Sequence, residues 1–132
     1  GSKIVVRYLT QEQILLIHSI VIDETGGSHG IRDHNAILSL ENLPRQIVFG
    51  KELYPTLFHK AAVYARNIIA SHPFLDGNKR TAMTAASVFL ESNGYRLNAK
   101  EGLVEKFALQ VIKAKLTMDE IAGWFKKHAT KI

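Results

Sequence analysis

Nine consecutive residues, His72-Pro73-Phe74-Leu75-Asp76-Gly77-Asn78-Lys79-Arg80, bring together a titratable base, a carboxylate, a glycine and two cations. The segment sits between two strongly helical stretches and ends where the second one begins. The first backbone N–H groups of a helix have no intrahelical acceptor, and the helix dipole adds about half a positive charge there. Gly77 lets a ligand approach the backbone closely. These features make an anion site, with phosphate the usual occupant, and Lys79 and Arg80 add positive charge beside it. Asp76 would repel a bare anion, but a carboxylate belongs next to phosphates when Mg2+ bridges the two. An unperturbed imidazole titrates near pH ~6.5, so His72 can take a proton from a hydroxyl near neutrality. A base, a metal-binding carboxylate, an anion nest and cations are the parts that phosphoryl or nucleotidyl transfer needs. Singly, each has a plainer role: Asp76 as an N-cap, Phe74 and Leu75 as core anchors of the loop, Lys79 and Arg80 as a solvated face. His18, His29, His34, His59 and His128 lack this context and read as structural.

The flanking sequence predicts a helical frame. Residues 3–9 read as a short edge strand or an extended lead-in. Thr10-Gln11-Glu12-Gln13 has capping-box spacing. It opens a helix whose apolar stripe is Ile14, Leu15, His18, Ile20, Val21 and Ile22, closed at Gly26-Gly27. Residues 26–33 form a polar turn, Asp33 caps a short helix to about Leu40, and Pro44 stops it. Residues 44–54 lack a helical period and, with Gly50 between two mixed runs, suit a hairpin or flap. Pro55 fits the first turn of the next helix, which buries Leu57, Ala61, Val63, Tyr64, Ile68 and Ile69 and ends before Pro73. The helix from Asn78 to Ser92 is apolar nearly all round and is expected to be the central buried one. A helix over Ala99–Lys115 follows. A second capping box, Thr117-Met118-Asp119-Glu120, starts the last helix, with Ile121, Trp124 and Phe125 facing inward. The expected fold class is all-α, a compact helical bundle around a central helix, with a small β-hairpin flap allowed, and residues 1–132 read as one domain.

Composition narrows the function classes. With 46% hydrophobic and 22% charged residues the chain is of globular type, which disorder would not allow. The absence of cysteine excludes disulfides, thiolate metal sites and thiol catalysis and suits a cytoplasmic setting. A net charge of +5 serves solubility or attracts an anionic partner. Gly1-Ser2 looks like a tag remnant, Ile4-Val5-Val6 is too short for a signal-peptide core, and no run reaches the ~18 apolar residues of a membrane span.

The nine-residue segment resembles the Fic/Doc signature, His-x-Phe-x-(Asp/Glu)-Gly-Asn-(Gly/Lys)-Arg, with His72, Phe74, Asp76, Gly77, Asn78 and Arg80 at its fixed places. Thr25-Gly26-Gly27, Gly30-Ile31-Arg32-Asp33, Tyr54-Pro55-Thr56-Leu57 and Glu91-Ser92-Asn93-Gly94-Tyr95-Arg96 look like the Doc, death-on-curing branch. Members that transfer AMP usually carry Gly after the Asn and a second Arg three residues beyond the first; here those places hold Lys79 and Met83. The resemblance therefore implies the Doc activity, in which the γ-phosphate of ATP or another nucleoside triphosphate goes to a threonine of elongation factor Tu, with Mg2+ as cofactor. AMP transfer is the alternative, and a non-catalytic nucleic-acid or protein binding module a second one. The resemblance assigns His72 to the target hydroxyl, Asp76 to the metal, and Gly77, Asn78, Lys79 and Arg80 to the phosphates, with Phe74 structural and residues 44–54 as the flap that lines up the target. The family's inhibitory helix carries Ser/Thr-x-x-x-Glu-(Gly/Asn). Glu101-Gly102 is preceded at the matching place by Leu97, which implies no built-in inhibitor and a separate Phd-like antitoxin as partner.

Overall fold

The computed structural model describes residues 5–132. Six α-helices form among them: α1 (Gln11–Thr25), α2 (His34–Ser39), α3 (Leu57–Ser71), α4 (Asn78–Ser92), α5 (Glu101–Lys113) and α6 (Met118–His128). Four short strands, β1 (Ile47–Val48), β2 (Lys51–Glu52), β3 (Tyr95–Leu97) and β4 (Ala129–Lys131), pair as β1–β2 and β3–β4, both antiparallel. No helix among the described residues is long and apolar enough to cross a membrane.

Local chemistry sets the helix ends. Thr10 and Gln13 form the expected capping box on α1, and Thr117 and Glu120 form the one on α6. Asp33 caps α2 through Ala36 N–H. Gly26 ends α1 at φ 84°, a left-handed position that a side chain would strain. Pro55 lies outside α3, contrary to expectation. Thr56 is the N-cap, accepting from His59 N–H, so the hydroxyl outcompetes the proline's preset φ for the helix start. α5 begins two residues later and ends two residues earlier than the composition suggests.

α3 and α4 are the central pair, with α6 packed on α3, α1 on α4, and α5 against both. Ala61, Ala62 and Ala65 of α3 and Ala82, Ala85 and Ala86 of α4 are fully buried, and such small side chains let two helices approach closely. Larger residues fill the remaining space: Phe89 meets Tyr64 at 5.1 Å and Tyr8 at 6.1 Å between ring centroids. On α1 the stripe is rotated from the expected one. Ile17 is buried, while Ile20 is 48% exposed, because α1 turns its Ile14-Ile17-Val21 face to α4. Trp124 is only half-buried and stacks on Phe107 at 4.0 Å.

Residues 5–9 form no strand; residues 3 and 4 of the expected lead-in lie outside the described residues. Leu9 is buried in the core, and its N–H donates to the Tyr64 hydroxyl at 3.0 Å. The second strand pair, which ties the segment after α4 to the chain beyond α6, had no local sequence signal. The expected hairpin does form, around Phe49 (φ 51°) and Gly50 (φ 76°), and two successive positive φ values are what a tight two-residue hairpin turn demands. Its base is anchored by Lys60, which is 1% exposed and donates to Tyr54 O at 2.6 Å, Glu52 Oε1 at 3.1 Å and Pro44 O at 3.3 Å.

Burial pushes the Tyr64 hydroxyl up from 10.0 to about 12, against smaller lowering effects of the Leu9 N–H and the Arg45 charge. In the unfolded chain this phenol ionises first, so stability is complete below pH ~10 and falls as pH rises toward 12. The Tyr64 share of that alkaline loss is about 2–3 kcal/mol. Tyr64→Phe is expected to flatten the decline between pH 10 and 12 in denaturant titrations, and to cost about 1–2 kcal/mol at neutral pH by leaving the Leu9 N–H without an acceptor.

Candidate active site

Residues 72–77 connect α3 to α4 without regular structure, so their polar backbone atoms need partners from elsewhere. The α1–α2 loop supplies most of them. Arg32 and Asp33 N–H both donate to Pro73 O, at 2.7 and 3.0 Å. Leu75 N–H donates to Gly30 O at 3.0 Å, and Ile31 and Phe74 form an isolated β-bridge. The Arg32 guanidinium donates to His72 O at 2.6 Å and also to Ser71 O. From α1, His18 Nε2 donates to Asp76 O at 2.9 Å. Its ring stacks on Phe74 at 3.7 Å and 5°. His18 is therefore a buried strut of the loop, in keeping with a structural role.

Each candidate residue has a definite place in this frame. His72 is the C-cap of α3 at φ 47°, ψ 60°, and it is exposed. A residue with a β-carbon in this left-handed region costs about 1–2 kcal/mol, a conformation that persists only where surrounding bonds over-determine it. Phe74 is 1% exposed and anchors the loop. Leu75, expected beside it in the core, is instead 56% exposed. Strand-like pairing with Gly30 sends alternate side chains to opposite sides, and Phe74 takes the inward one. The Leu75 side chain lies over Gly30, where an added Cβ would stand 2.3 Å from Leu75 Cδ1.

Asp76 is exposed, and one of its oxygens, Oδ2, accepts from Ser28 N–H at 2.7 Å. It does not cap α4. Gly77 does, at φ 75°, with no side-chain hydrogen bond to the helix start. α1, α2, α3 and α6 all have a Thr or Asp oxygen on their first turn. α4 has none, and neither does α5, whose N-cap is Lys100; α4 starts from a glycine, so no side chain covers its leading N–H groups. The resemblance assigned Asn78 to the phosphates. Here its amide is committed to the loop: Oδ1 accepts from Phe74 N–H at 3.0 Å and Nδ2 donates to Phe74 O at 2.8 Å. What Asn78 still offers an anion is its backbone N–H. Lys79 is exposed and has no ion-pair partner among the described residues. Arg80 pairs with Glu101 at 3.0 Å and Glu105 at 3.1 Å, both on α5. The sequence reading of Glu101-Gly102 did not foresee these two contacts. They depend on α5 folding back over α4, a long-range fact with no local signature.

Beside Lys79 and Arg80 opens a cleft of about 630 Å³ between α1, α4 and α5. Ile20, Val21, Met83, Leu97, Val104 and Leu109 give it an apolar floor. This is where the displaced Ile20 of the α1 stripe is used.

No group of three or more His, Cys, Asp or Glu residues that could hold a metal gathers among the described residues. A lone carboxylate with one oxygen bonded to backbone and the other open is a poor all-protein metal site. It does fit Mg2+, which usually takes one or two carboxylates and fills its remaining positions with phosphate oxygens and water.

The Fic/DOC family model matches residues 8–90, a span that includes the 72–77 turn. The chain belongs to the Fic/DOC family. Among relatives, the toxin Doc of Mycolicibacterium smegmatis is 38% identical over 92 residues, covering 70% of this chain and 68% of that protein. The protein kinase doc of Escherichia phage P1 is 30% identical over 91 residues, covering 69% of this chain and 71% of that protein.

Asn78→Ala removes both braces on Phe74 and leaves a buried N–H without an acceptor. It is expected to destabilise the fold by about 2–3 kcal/mol, seen as a lower urea midpoint at unchanged slope. Asn78→Asp keeps the acceptor for Phe74 N–H but faces Phe74 O with another oxygen, and is expected to be no better than Ala.

Proposed function

We propose that this chain is a Doc-type toxin enzyme that transfers the γ-phosphate of a nucleoside triphosphate to a Ser or Thr hydroxyl of a protein. Elongation factor Tu is the leading target, by resemblance, and modifying it would arrest translation in the cytoplasm. The observation that carries the reading is the bare N-terminus of α4, which starts at a left-handed glycine with no side-chain cap, next to exposed His72 and Asp76. The 30% identity to the phage P1 protein kinase doc supports the kinase form of the chemistry. So do Lys79 and Met83 at the two places where AMP-transferring members usually carry Gly and Arg.

In this reading the amides of the first α4 turn hold the phosphate chain, and the helix dipole favours its charge. Lys79 adds a second contact. Asp76 would hold Mg2+, which when bound would supply charge neutralisation at the transferring group. His72 accepts the proton of the target hydroxyl as the new P–O bond forms, and the nucleoside diphosphate leaves with the bridging oxygen of the broken bond. Arg80 reaches phosphate only by exchanging Glu101 and Glu105 for it. The β1–β2 hairpin, with Phe49 fully exposed at its tip, presents the target segment.

The apolar cleft beside Arg80 suits an amphipathic helix laid in a groove. A Phd-like antitoxin there would lie across the mouth of the phosphate site.

Incubation with γ-labelled ATP, Mg2+ and elongation factor Tu is expected to label the protein target, and mass spectrometry to show a gain of phosphate. A gain of AMP, with label retained only from the α-phosphate, would replace the kinase reading by nucleotidyl transfer. Duplex DNA binding that survives His72→Ala, with no transfer, would point to a binding module instead. His72→Ala is expected to lower kcat by about 100-fold or more, and Asp76→Ala to raise the Mg2+ concentration needed for half-maximal rate. The double variant Glu101→Gln/Glu105→Gln is expected to tighten nucleotide binding several-fold in calorimetry, since it frees Arg80.

A further inference from the structure

Arg32 belongs to the Gly30-Ile31-Arg32-Asp33 stretch, which has no part in the chemistry above. Its side chain is exposed and pairs with no carboxylate among the described residues. Its hydrogen bonds go instead to the carbonyls at the end of α3, one of them that of His72 itself. Asp33 is otherwise engaged, capping α2.

A helix leaves its last carbonyls without N–H donors, and glycine at the left-handed position commonly lets the following backbone fold back to meet them. Here that position is His72, at φ 47°, and the next residue is Pro73, which has no N–H to give. His72 N–H still makes one backbone capping bond, to Ile68 O at 3.2 Å, but the carbonyls of Ser71 and His72 lie beyond what such a cap reaches. The guanidinium reaches them: Nε donates to His72 O at 2.6 Å and Nη2 donates to Ser71 O. The backbone of Arg32 and Asp33 then takes Pro73 O at 2.7 and 3.0 Å. Three successive carbonyls, 71 to 73, are thus held by one two-residue stretch of a different loop. A cation at a helix C-terminus is also favoured by the dipole, but the dipole asks only for charge. A planar fork reaching two adjacent carbonyls asks for arginine.

We propose that Arg32 is the positioning residue for His72, holding the α3 terminus in the left-handed turn from which the imidazole meets the target hydroxyl. This rests on the kinase reading of the site. Arg32 touches neither nucleotide nor metal in it, so its loss acts on the proton-transfer step rather than on binding.

The test compares wild type with Arg32→Met and Arg32→Lys. Arg32→Met is expected to lower kcat by at least tenfold, with nucleotide affinity and the KM for ATP within twofold of wild type. Arg32→Lys keeps the charge and loses the fork, so it is expected to lie much nearer to Met than to wild type. Guanidinium at millimolar concentration is expected to restore part of the Met variant's rate and none of that of His72→Ala. Independently of activity, NMR of ring-labelled histidine, with His72 assigned by its loss in His72→Gln, is expected to show the His72 signal shifted or split in Arg32→Met while the His18 signal stays put. An unchanged His72 signal in a folded Arg32→Met protein overturns the proposal. So does an Arg32→Lys protein with wild-type kcat, or a parallel loss of kcat and nucleotide affinity. If wild type itself transfers no phosphate, the kinase reading fails, and the His72 signal still decides whether Arg32 sets its position.

Discussion

The constraint on which the rest depends is that a six-residue turn without helix or sheet must have its buried backbone satisfied from outside. In the 72–77 turn almost every such group finds a partner. His72 O goes to the Arg32 guanidinium, Pro73 O to two amides of the α1–α2 loop, Phe74 N–H and O to the Asn78 amide, Leu75 N–H to Gly30, and Asp76 O to His18. These donors and acceptors come from three separate stretches of chain. The turn is therefore a product of the tertiary fold, and its shape is set only once α1, α2 and α4 are docked together.

That arrangement explains why the turn can leave one thing unsatisfied. The first-turn amides of α4 have no side-chain cap, although α1, α2, α3 and α6 each have one. An Asp or Ser at position 77 would have closed the helix cheaply by local chemistry. Gly77 leaves it open, and a Cβ there would press on Ile22 Cδ1 at 3.0 Å. The same close packing against α1 that makes glycine necessary also holds the open helix start in place. Polar groups around it are bonded to the frame, so the exposed donors that remain are those an anion can take.

Much of this was legible in the sequence because it depends on local spacing. The two capping boxes, the stop at Gly26, the hairpin around residues 49–50 and the extent of α4 all follow from residues within a few positions of one another, and all appear in the structure. The signature segment placed His72, Asp76 and Gly77 in one turn for the same reason. What the sequence left open or misplaced was long-range or directional. Ile20 and Leu75 are apolar residues whose facing depends on how α1 and the turn sit against their neighbours, and both turn out to be exposed. Asn78 carries an amide that suits phosphate or backbone equally well, and only the folded loop shows which it takes. Arg32 and the Glu101–Glu105 pair act across 40 and more than 20 residues of chain, and no local pattern foretells such partners.

The frame also separates what must stay fixed from what must exchange. The contacts that hold the turn are hydrogen bonds to backbone carbonyls and amides, the Arg32 fork among them, and a buried ring stack. The contacts at its rim are ion pairs between half-exposed side chains, Arg80 with Glu101 and Glu105, which water and salt screen. A phosphate arriving at α4 competes only with the second kind. Lys60 repeats the division on the other side: a buried ammonium fixes the base of the β1–β2 hairpin through backbone carbonyls, while the apolar tip at Phe49 is left free to meet a partner. Both edges of the site are thus built from a rigid root and a replaceable outer contact. Exchange of the outer contacts at the rim leaves the hydrogen bonds that hold the 72–77 turn in place.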